Sequence, residues 1–514
     1  MKTARRISQV LFLLLFFFLF LQTESKGHDE LGYPVKIFLD LDPLLFITTI
    51  LSAHAIEKAF YLSIIVIVIT ILLGRVFCGW ICPLGTINNI IGSIRKGISY
   101  IQKEELFKLK YLILIVLIVT SLLTVQITGL FDPLSLLIRS FSVGIYPAFN
   151  YVITGVFNSI YNAKIPFIVD ISEFIYSLLK KSILLFEQTY YRQGFFIALL
   201  FLIILALNLY EKRFWCRYLC PLGALLGVLS RFSILKRSVS EGCNSCGACA
   251  KVCHGNALPD KKDKWRSTEC LYCWNCDDIC PQNAVSFSFS KKTDSQALKL
   301  GRRNILISIL SGIVAVPLLR QNPLNRGDIF NPLLLRPPGA HEEREFLRRC
   351  VRCGECMKVC ITNGLQPTFL EAGLEGIWTP ILVPKIGYCE YNCTLCGQVC
   401  PTGAIKRLTK EKKSKTKIGL AMIDKGRCLP YAHLRPCIVC EEVCPTPKKA
   451  IWFENVKIKD RDGKDLILQQ PHVNLELCIG CGICEAKCPV VDKPAIYVTS
   501  IGESRSKRNQ LIVF

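Results

Sequence analysis

Apolar residues crowd into runs at 10–21, 60–73, 111–125 and 195–210, with one later run at 305–319. Runs of about 15 residues fall short of the ~20 that cross a bilayer as a helix, but their flanks extend each of the first four to a full span. The pattern predicts a multi-pass α-helical membrane domain over residues 1–235, followed by a soluble part. The first run stands behind Lys2, Arg5 and Arg6 and could be a cleaved leader, yet no A-x-A site follows LFLQTES; either way residue 24 starts outside. Counting on from there places Cys78 and Cys216 on the cytoplasmic side. Arg95, Lys96, Lys103 and Lys108 in the intervening short loop agree with this, as do Lys212, Arg213 and Arg217 after the fourth run. Residues 141–190 are only weakly apolar, so an interfacial or re-entrant segment is expected there.

Two phrases are written twice. LDPLLF (41–46) precedes FCGWICPLGTI (77–87), and FDPLSLL (131–137) precedes FWCRYLCPLGAL (214–225), each pair enclosing an apolar run. A duplicated unit with an insertion in its second copy would set Cys78 and Cys82 beside Cys216 and Cys220 at one membrane depth. Cysteines four apart share a helix face, and the proline that follows biases the second one out of helix. Trp80, Trp215 and Tyr218 suit a membrane interface. Tight packing of small residues at a helix end is the plainer explanation, but duplication of both thiols favours a redox or ligand role, with all four holding one centre. His54 is the only histidine beside a span, which leaves bis-histidine haem b without ligands. It is a candidate proton acceptor from a quinol, set against the structural role common for a lone loop histidine.

Cysteine usage changes the picture most. The chain has 514 residues and 28 cysteines, in tight recurring sets unlike the irregular spacing of secreted disulfide domains. Cys243, Cys246, Cys249 and Cys253 open the series, followed by Cys270, Cys273, Cys276 and Cys280, then by Cys350, Cys353, Cys356 and Cys360. Cys389, Cys393, Cys396 and Cys400 come next, then Cys428, Cys437, Cys440 and Cys444, and last Cys478, Cys481, Cys484 and Cys488. In C-x-x-C-x-x-C-x-x-x-C, one loop presents three thiolates to a cubane while the fourth reaches the neighbouring cluster. A single set would also suit zinc; the sixfold recurrence points to six 4Fe-4S clusters. The tails CPQNAV, CPTGAI, CPTPKKAI and CPVVDKPAI mark internal duplication. Quartets one and two are close enough to form one module, and quartets three to six form either two such modules or a nested pair.

The formal charge of +23 counts every cysteine as neutral; six oxidised clusters would lower it to roughly +11. The basic run at 406–417 has no base-reading motif beside it, so it reads as a solvated loop or a patch for an anionic partner, and no nucleic acid is expected.

LGRRNILISILSGIVAVPLL (300–319) carries twin arginines ahead of an apolar stretch, as in leaders that export folded, cofactor-loaded proteins. Without a cleavage site it would stay as a further span; the alternative is a buried helix. If it crosses, quartets one and two stay in the cytoplasm and quartets three to six face the outside.

On these motifs the chain resembles a fusion of two ferredoxin families of periplasmic nitrate respiration. Its first 290 or so residues are similar to NapH-type membrane ferredoxins, with paired C-x-x-x-C-P motifs and a two-cluster domain; related domains occur in NosR-type proteins. Residues 300–500 are similar to NapG- and MauM-type ferredoxins, with a twin-arginine leader and four quartets. The resemblance implies α+β ferredoxin-like domains at 236–292 (cytoplasmic) and 340–500 (periplasmic), joined by a crossing segment at 299–320, in a bacterial inner membrane. It implies oxidation of quinol from the quinone pool and delivery of electrons to a periplasmic cytochrome or reductase, beside other subunits of a respiratory complex. The enzymatic role would be that of a quinol dehydrogenase-type component. The competing reading is a non-enzymatic relay fed by a ferredoxin or partner subunit, with the membrane half only an anchor. Cys360, followed by Ile361 rather than proline, departs from the pattern.

Overall fold

The computed structural model describes residues 1–24, 30–55, 61–94, 104–163, 166–185, 187–257, 265–289, 300–321, 331–459 and 465–510. Arg95, Lys96 and Lys103 lie outside the described residues.

The duplicated unit is visible as repeated local structure. Asp42 and Asp132 each cap a helix whose first residue is proline, α2 (Pro43–Ala53) and α6 (Pro133–Ser140). Asp42 accepts from the Leu44 and Leu45 amides at 2.8 and 3.2 Å, and Asp132 from the Leu134 and Ser135 amides at 3.1 and 2.7 Å; aspartate before an N1 proline satisfies the orphan donors of the first turn. An apolar helix follows in each copy, α3 (Tyr61–Leu73) in the first and α9 (Gly194–Tyr210) in the second. Each then ends in a single π turn, Phe77–Ile81 or Trp215–Leu219. Beyond the turns run α4 (Pro83–Ile94) and α10 (Pro221–Ser230). The second copy holds the insertion, α7 (Tyr146–Asn162) and α8 (Pro166–Ser182).

Three helices frame the bundle lengthwise: α1 (Lys2–Gln22), α5 (Glu104–Leu122) and α11 (Arg302–Leu319). Near its start α1 meets Asp278 through Lys2 (2.6 Å) and Asn275 through Arg5 (3.2 Å), and just past its end the Thr23 carbonyl accepts from Lys358 (3.2 Å). Early in α5, Lys110 and Tyr111 bind Glu269, whereas past its end Leu123 and Thr124 receive Arg320 and Gln126 receives Arg352. The two cysteine-rich parts therefore sit at opposite ends of the bundle. A 21-residue helix is about 31 Å long, the thickness of a bilayer's hydrocarbon core.

Among the described residues, three helical stretches are long and apolar enough to cross a membrane: α1, Pro133–Asn162 and α11. The second overlaps the first part of 141–190, where an interfacial or re-entrant segment is expected. Its hydropathy is diluted by Ser135, Arg139, Ser140 and Ser142, but all four are buried. The run at 60–73 also differs, since α3 stops at Gly74 (φ +78), where a Cβ would overlap the Tyr272 ring. The buried-helix alternative for 305–319 is not what forms: α11 buries only Ser308, Gly312 and Val316. That stripe of i, i+4, i+8 residues packs on α5, where a Cβ on Gly312 would lie 2.9 Å from Val119, a small-residue contact of the kind membrane helices use.

The first cysteine-rich part is closed by antiparallel β1 (Leu235–Val239) and β2 (Val285–Phe289). The second contains β3 (Leu365–Pro367) paired with β4 (Pro380–Leu382), β5 (Leu420–Ile423) with β8 (Ile496–Thr499), and a hairpin of β6 (Ile451–Lys459) and β7 (Asp465–Val473). Among the described residues the strands form two-stranded ribbons only, too small to supply a core of their own. Buried cysteines fill that role in the hydrophobic clusters of both parts.

Candidate iron-sulfur centres

The cysteine quartets exchange their fourth members. Cys350, Cys353 and Cys356 line one cavity with Cys400, and Cys389, Cys393 and Cys396 line the next with Cys360. Cys428, Cys437 and Cys440 face Cys488, while Cys478, Cys481 and Cys484 face Cys444. Quartets three and four thus form one module and five and six another, which resolves the choice between sequential and nested pairing. In the first part Cys270, Cys273 and Cys276 share a cavity with Cys253. The same exchange leaves Cys243, Cys246 and Cys249 to Cys280; Cys249 and Cys280 pack against one small core with Trp265 and Tyr272. Cys360 keeps its place without the usual proline, its sulfur 3.8 Å from Thr362 Oγ1.

The donor sets fit iron-sulfur clusters. The five cavities are apolar. In each cavity the sulfurs line one common space. Amides aim at them: Ala257 N–H at Cys253 (3.2 Å), Ala284 at Cys280 (3.3 Å), Ile405 at Cys400 (3.4 Å). Burial pushes the Cys276, Cys440 and Cys481 thiols up to about 12. Such groups stay protonated near neutral pH unless a metal stabilises the thiolate.

Modules contact one another and the bundle through the cluster loops. The Cys389 amide donates to the Cys481 carbonyl at 2.8 Å, so the cavities of Cys389 and Cys481 are neighbours. At the bundle, Arg139 donates to the Gly129 and Arg352 carbonyls, both at 2.9 Å, and a Cβ on Gly129 would overlap the Val351 carbonyl. At the other end Trp80 Nε1 donates to the Tyr272 carbonyl at 2.9 Å, and Arg217 reaches the His254 and Cys253 carbonyls at 2.9 and 3.2 Å.

Four further thiols come together where the π turns meet. Cys78 and Cys216 lie within the turns, while Cys82 and Cys220 leave helical geometry (ψ 117° and 109°) just before their prolines. Each of these thiols has others of the set close enough to interact electrostatically. His54 is not among them: it is the exposed left-handed cap (φ 51°) of α2, two residues past Ser52, which donates to the Arg348 carbonyl at the opposite end.

A family model described as a 4Fe-4S binding domain matches residues 59–101 and 193–240, once over each copy of the duplicated unit, and a second of the same description matches 471–491. NapH, a ferredoxin-type protein of Haemophilus influenzae, is 25% identical over 279 residues, 50% of this chain and 79% of that protein. The ferredoxin-type protein NapG of Escherichia coli is 39% identical over 103 residues, 20% of this chain and 44% of NapG. The chain thus resembles a fusion of NapH- and NapG-type ferredoxins, NapH matching half of it and NapG a fifth. The putative electron transport protein YccM of Escherichia coli is 28% identical over 274 residues, and the chain spans 65% of its length. No solved structure matches. Together these make the chain an iron-sulfur electron-transfer protein.

Several side chains of this chain do other work than their sequence context implies. Trp215 and Tyr218 are buried inside the protein, Tyr218 Oη donating to Glu211 at 2.8 Å, rather than set on its surface, and half-buried Trp80 holds the cluster loop. Arg213 and Arg217 are buried as well, Arg217 holding the Cys253 loop and Arg213 the Cys78 carbonyl. The run at 406–417 is not simply solvated, because Lys413 is buried and donates to the Glu390 and Tyr391 carbonyls at 2.9 and 3.0 Å. Sequence reasoning missed Arg75, Lys110, Glu269 and Arg352. Charges inside apolar segments were the available signal for the first two.

Proposed function

We propose that this chain is a multi-pass inner-membrane protein that oxidises quinol and passes the electrons through six 4Fe-4S clusters to a periplasmic cytochrome or reductase. The observation that carries this reading is the placement of two cluster-bearing parts at opposite ends of one bundle, about a bilayer apart. In it, residues 236–292 face the cytoplasm, α11 crosses within 299–320 after twin-arginine export, and 340–500 face the periplasm. The 24 quartet cysteines bind the clusters, which supply one-electron steps, and the cluster-loop contacts set a succession away from the bundle: the Cys350 site, the Cys389 site, the Cys481 site, and the Cys437 site outermost. His54, at the bundle end nearest the periplasmic part, takes a quinol proton in this reading. NapH, NapG and YccM, as named, support a place beside other respiratory subunits.

Anaerobic addition of a quinol analogue to the full-length protein, followed by EPR, tests the proposal. Reduction of the clusters is expected. Clusters that stay oxidised under quinol but accept electrons from dithionite would favour a relay with an anchoring membrane half.

A further inference from the structure

The D-P-L phrase is written twice, and the fold brings its two aspartates together. Asp42 and Asp132 are both fully buried. Each accepts the amides of the helix it caps on one oxygen only, Asp42 on Oδ1 and Asp132 on Oδ2. The remaining oxygens, Asp42 Oδ2 and Asp132 Oδ1, take no hydrogen bond from the rest of the protein, and the two carboxyls hydrogen-bond each other. Two carboxylates cannot do so, because an ionised carboxylate only accepts. One proton therefore lies between them. Burial sets the same count, since two like charges taken out of water side by side cost far more than one, and the helix N-termini that meet here favour the single charge that is left.

Both aspartates stand next to one cluster site. Six residues before Asp42, Lys36 Nζ donates to the Cys400 carbonyl at 3.3 Å. Three residues before Asp132, Gly129 lies so close to Val351 that a Cβ would overlap its carbonyl. Cys400 and Val351 line the same cavity, that of Cys350, Cys353 and Cys356. Arg139, also fully buried, lies within electrostatic reach of Asp132, Cys350 and Cys353, and its Nε and Nη2 have no protein partner. The other charged groups on the surrounding elements are Asp40 beside Lys36 in the turn ahead of Asp42, Arg352 in the cluster loop, those of the helix Glu343–Arg349 past the far end of α2, and those in the first two turns of α5, at the opposite end of the bundle. The spans of α3, α4, α9 and α10 carry none.

We infer that Asp42 and Asp132 share one proton in the oxidised protein and bind a second when the Cys350 site gains an electron, so that the pair is the proton partner of that cluster. Arg139 serves cluster and pair together, and one more negative charge on the cluster favours the neutral form of a nearby carboxyl. The electron, from quinol in the proposed function, reduces the cluster; the proton, from water, forms the second O–H of the pair. When the electron moves on to the Cys389 site, that O–H breaks and the proton leaves. Each copy of the duplicated unit supplies one carboxyl, so the site exists only where the two copies meet. The inference rests on a cluster at the Cys350 set but not on quinol as the donor.

EPR-monitored redox titration of the full-length protein at a series of pH values tests it. The signal that Cys400→Ser alters marks the Cys350 site, and its midpoint potential should fall as pH rises. Asp42→Asn combined with Asp132→Asn keeps an oxygen for each amide cap but holds no proton, so that slope should be lost while the other signals keep their behaviour. Redox-difference infrared spectra of the wild type need no variant: reduction by dithionite should add a protonated-carboxyl band that shifts in D2O. A potential of that signal that does not move with pH, a slope unchanged in the double variant, or no carboxyl band on reduction overturns the proton partner. A protein without any iron-sulfur signal would instead defeat the cluster reading itself, and this inference with it.

Discussion

At the scale of single residues, ligand exchange ties each cluster to a cysteine distant in sequence. Cys400→Ser should therefore alter the EPR signal and potential of the site with Cys350, Cys353 and Cys356, not that of its own quartet neighbours. Cys360→Ser should do the reverse. Glu343 is a second residue with a defined task. It accepts from Arg336 Nη2 at 2.6 Å and Arg505 Nη1 at 2.9 Å. Burial alone would raise its carboxyl, but the two guanidiniums prevail and hold it at about 2, below its usual 4.5. Its contribution is complete above pH 4.5 and fades as pH falls towards 2. Glu343→Gln should cost about 1–3 kcal/mol near neutral pH by stranding the buried Arg336. Thermal unfolding followed by cluster absorbance should show the gap to wild type narrowing as the carboxyl protonates in the acid range.

At the scale of elements, glycines decide how closely the bundle meets its cluster domains. Gly129 begins a contact in which bundle backbone lies against the Val351 carbonyl, and Gly79 does the same for Leu271. A methyl group at either position forces the surfaces apart. Gly129→Ala should loosen residues 331–510 from the bundle, read as faster protease cleavage on both sides of that domain, with Gly79→Ala exposing residues 236–289 in the same assay. The repeated D-P-L and C-x-x-x-C-P phrases and the apolar helices were legible in the sequence because each is a local code. The extra crossing-length stretch at 133–162 was not, since its serines and Arg139 look polar in sequence yet are buried, Arg139 against the Arg352 carbonyl more than 200 residues away.

For the whole molecule, the decisive geometry is the separation of the cluster-bearing parts by helices that keep apolar residues on their outer faces. If the bundle spans the membrane, protease added to intact spheroplasts should cleave within 331–510 and spare 236–289. Protection of both, with cleavage only after lysis, would place all six quartets on one side and remove the case for export.

Spacing alone determined which cysteines belong to quartets and that the apolar unit is duplicated, because ligand loops and repeated phrases are specified within a dozen residues; the likeness to two ferredoxin types came from resemblance. Tertiary structure alone decided which fourth cysteine serves which loop, that buried arginines stand beside the two C-x-x-x-C pairs, and that His54 stands at the other end of the bundle from them. Those relations depend on how far-apart segments pack, and burying a charge or a thiol is favourable only once its partner has arrived from elsewhere in the chain.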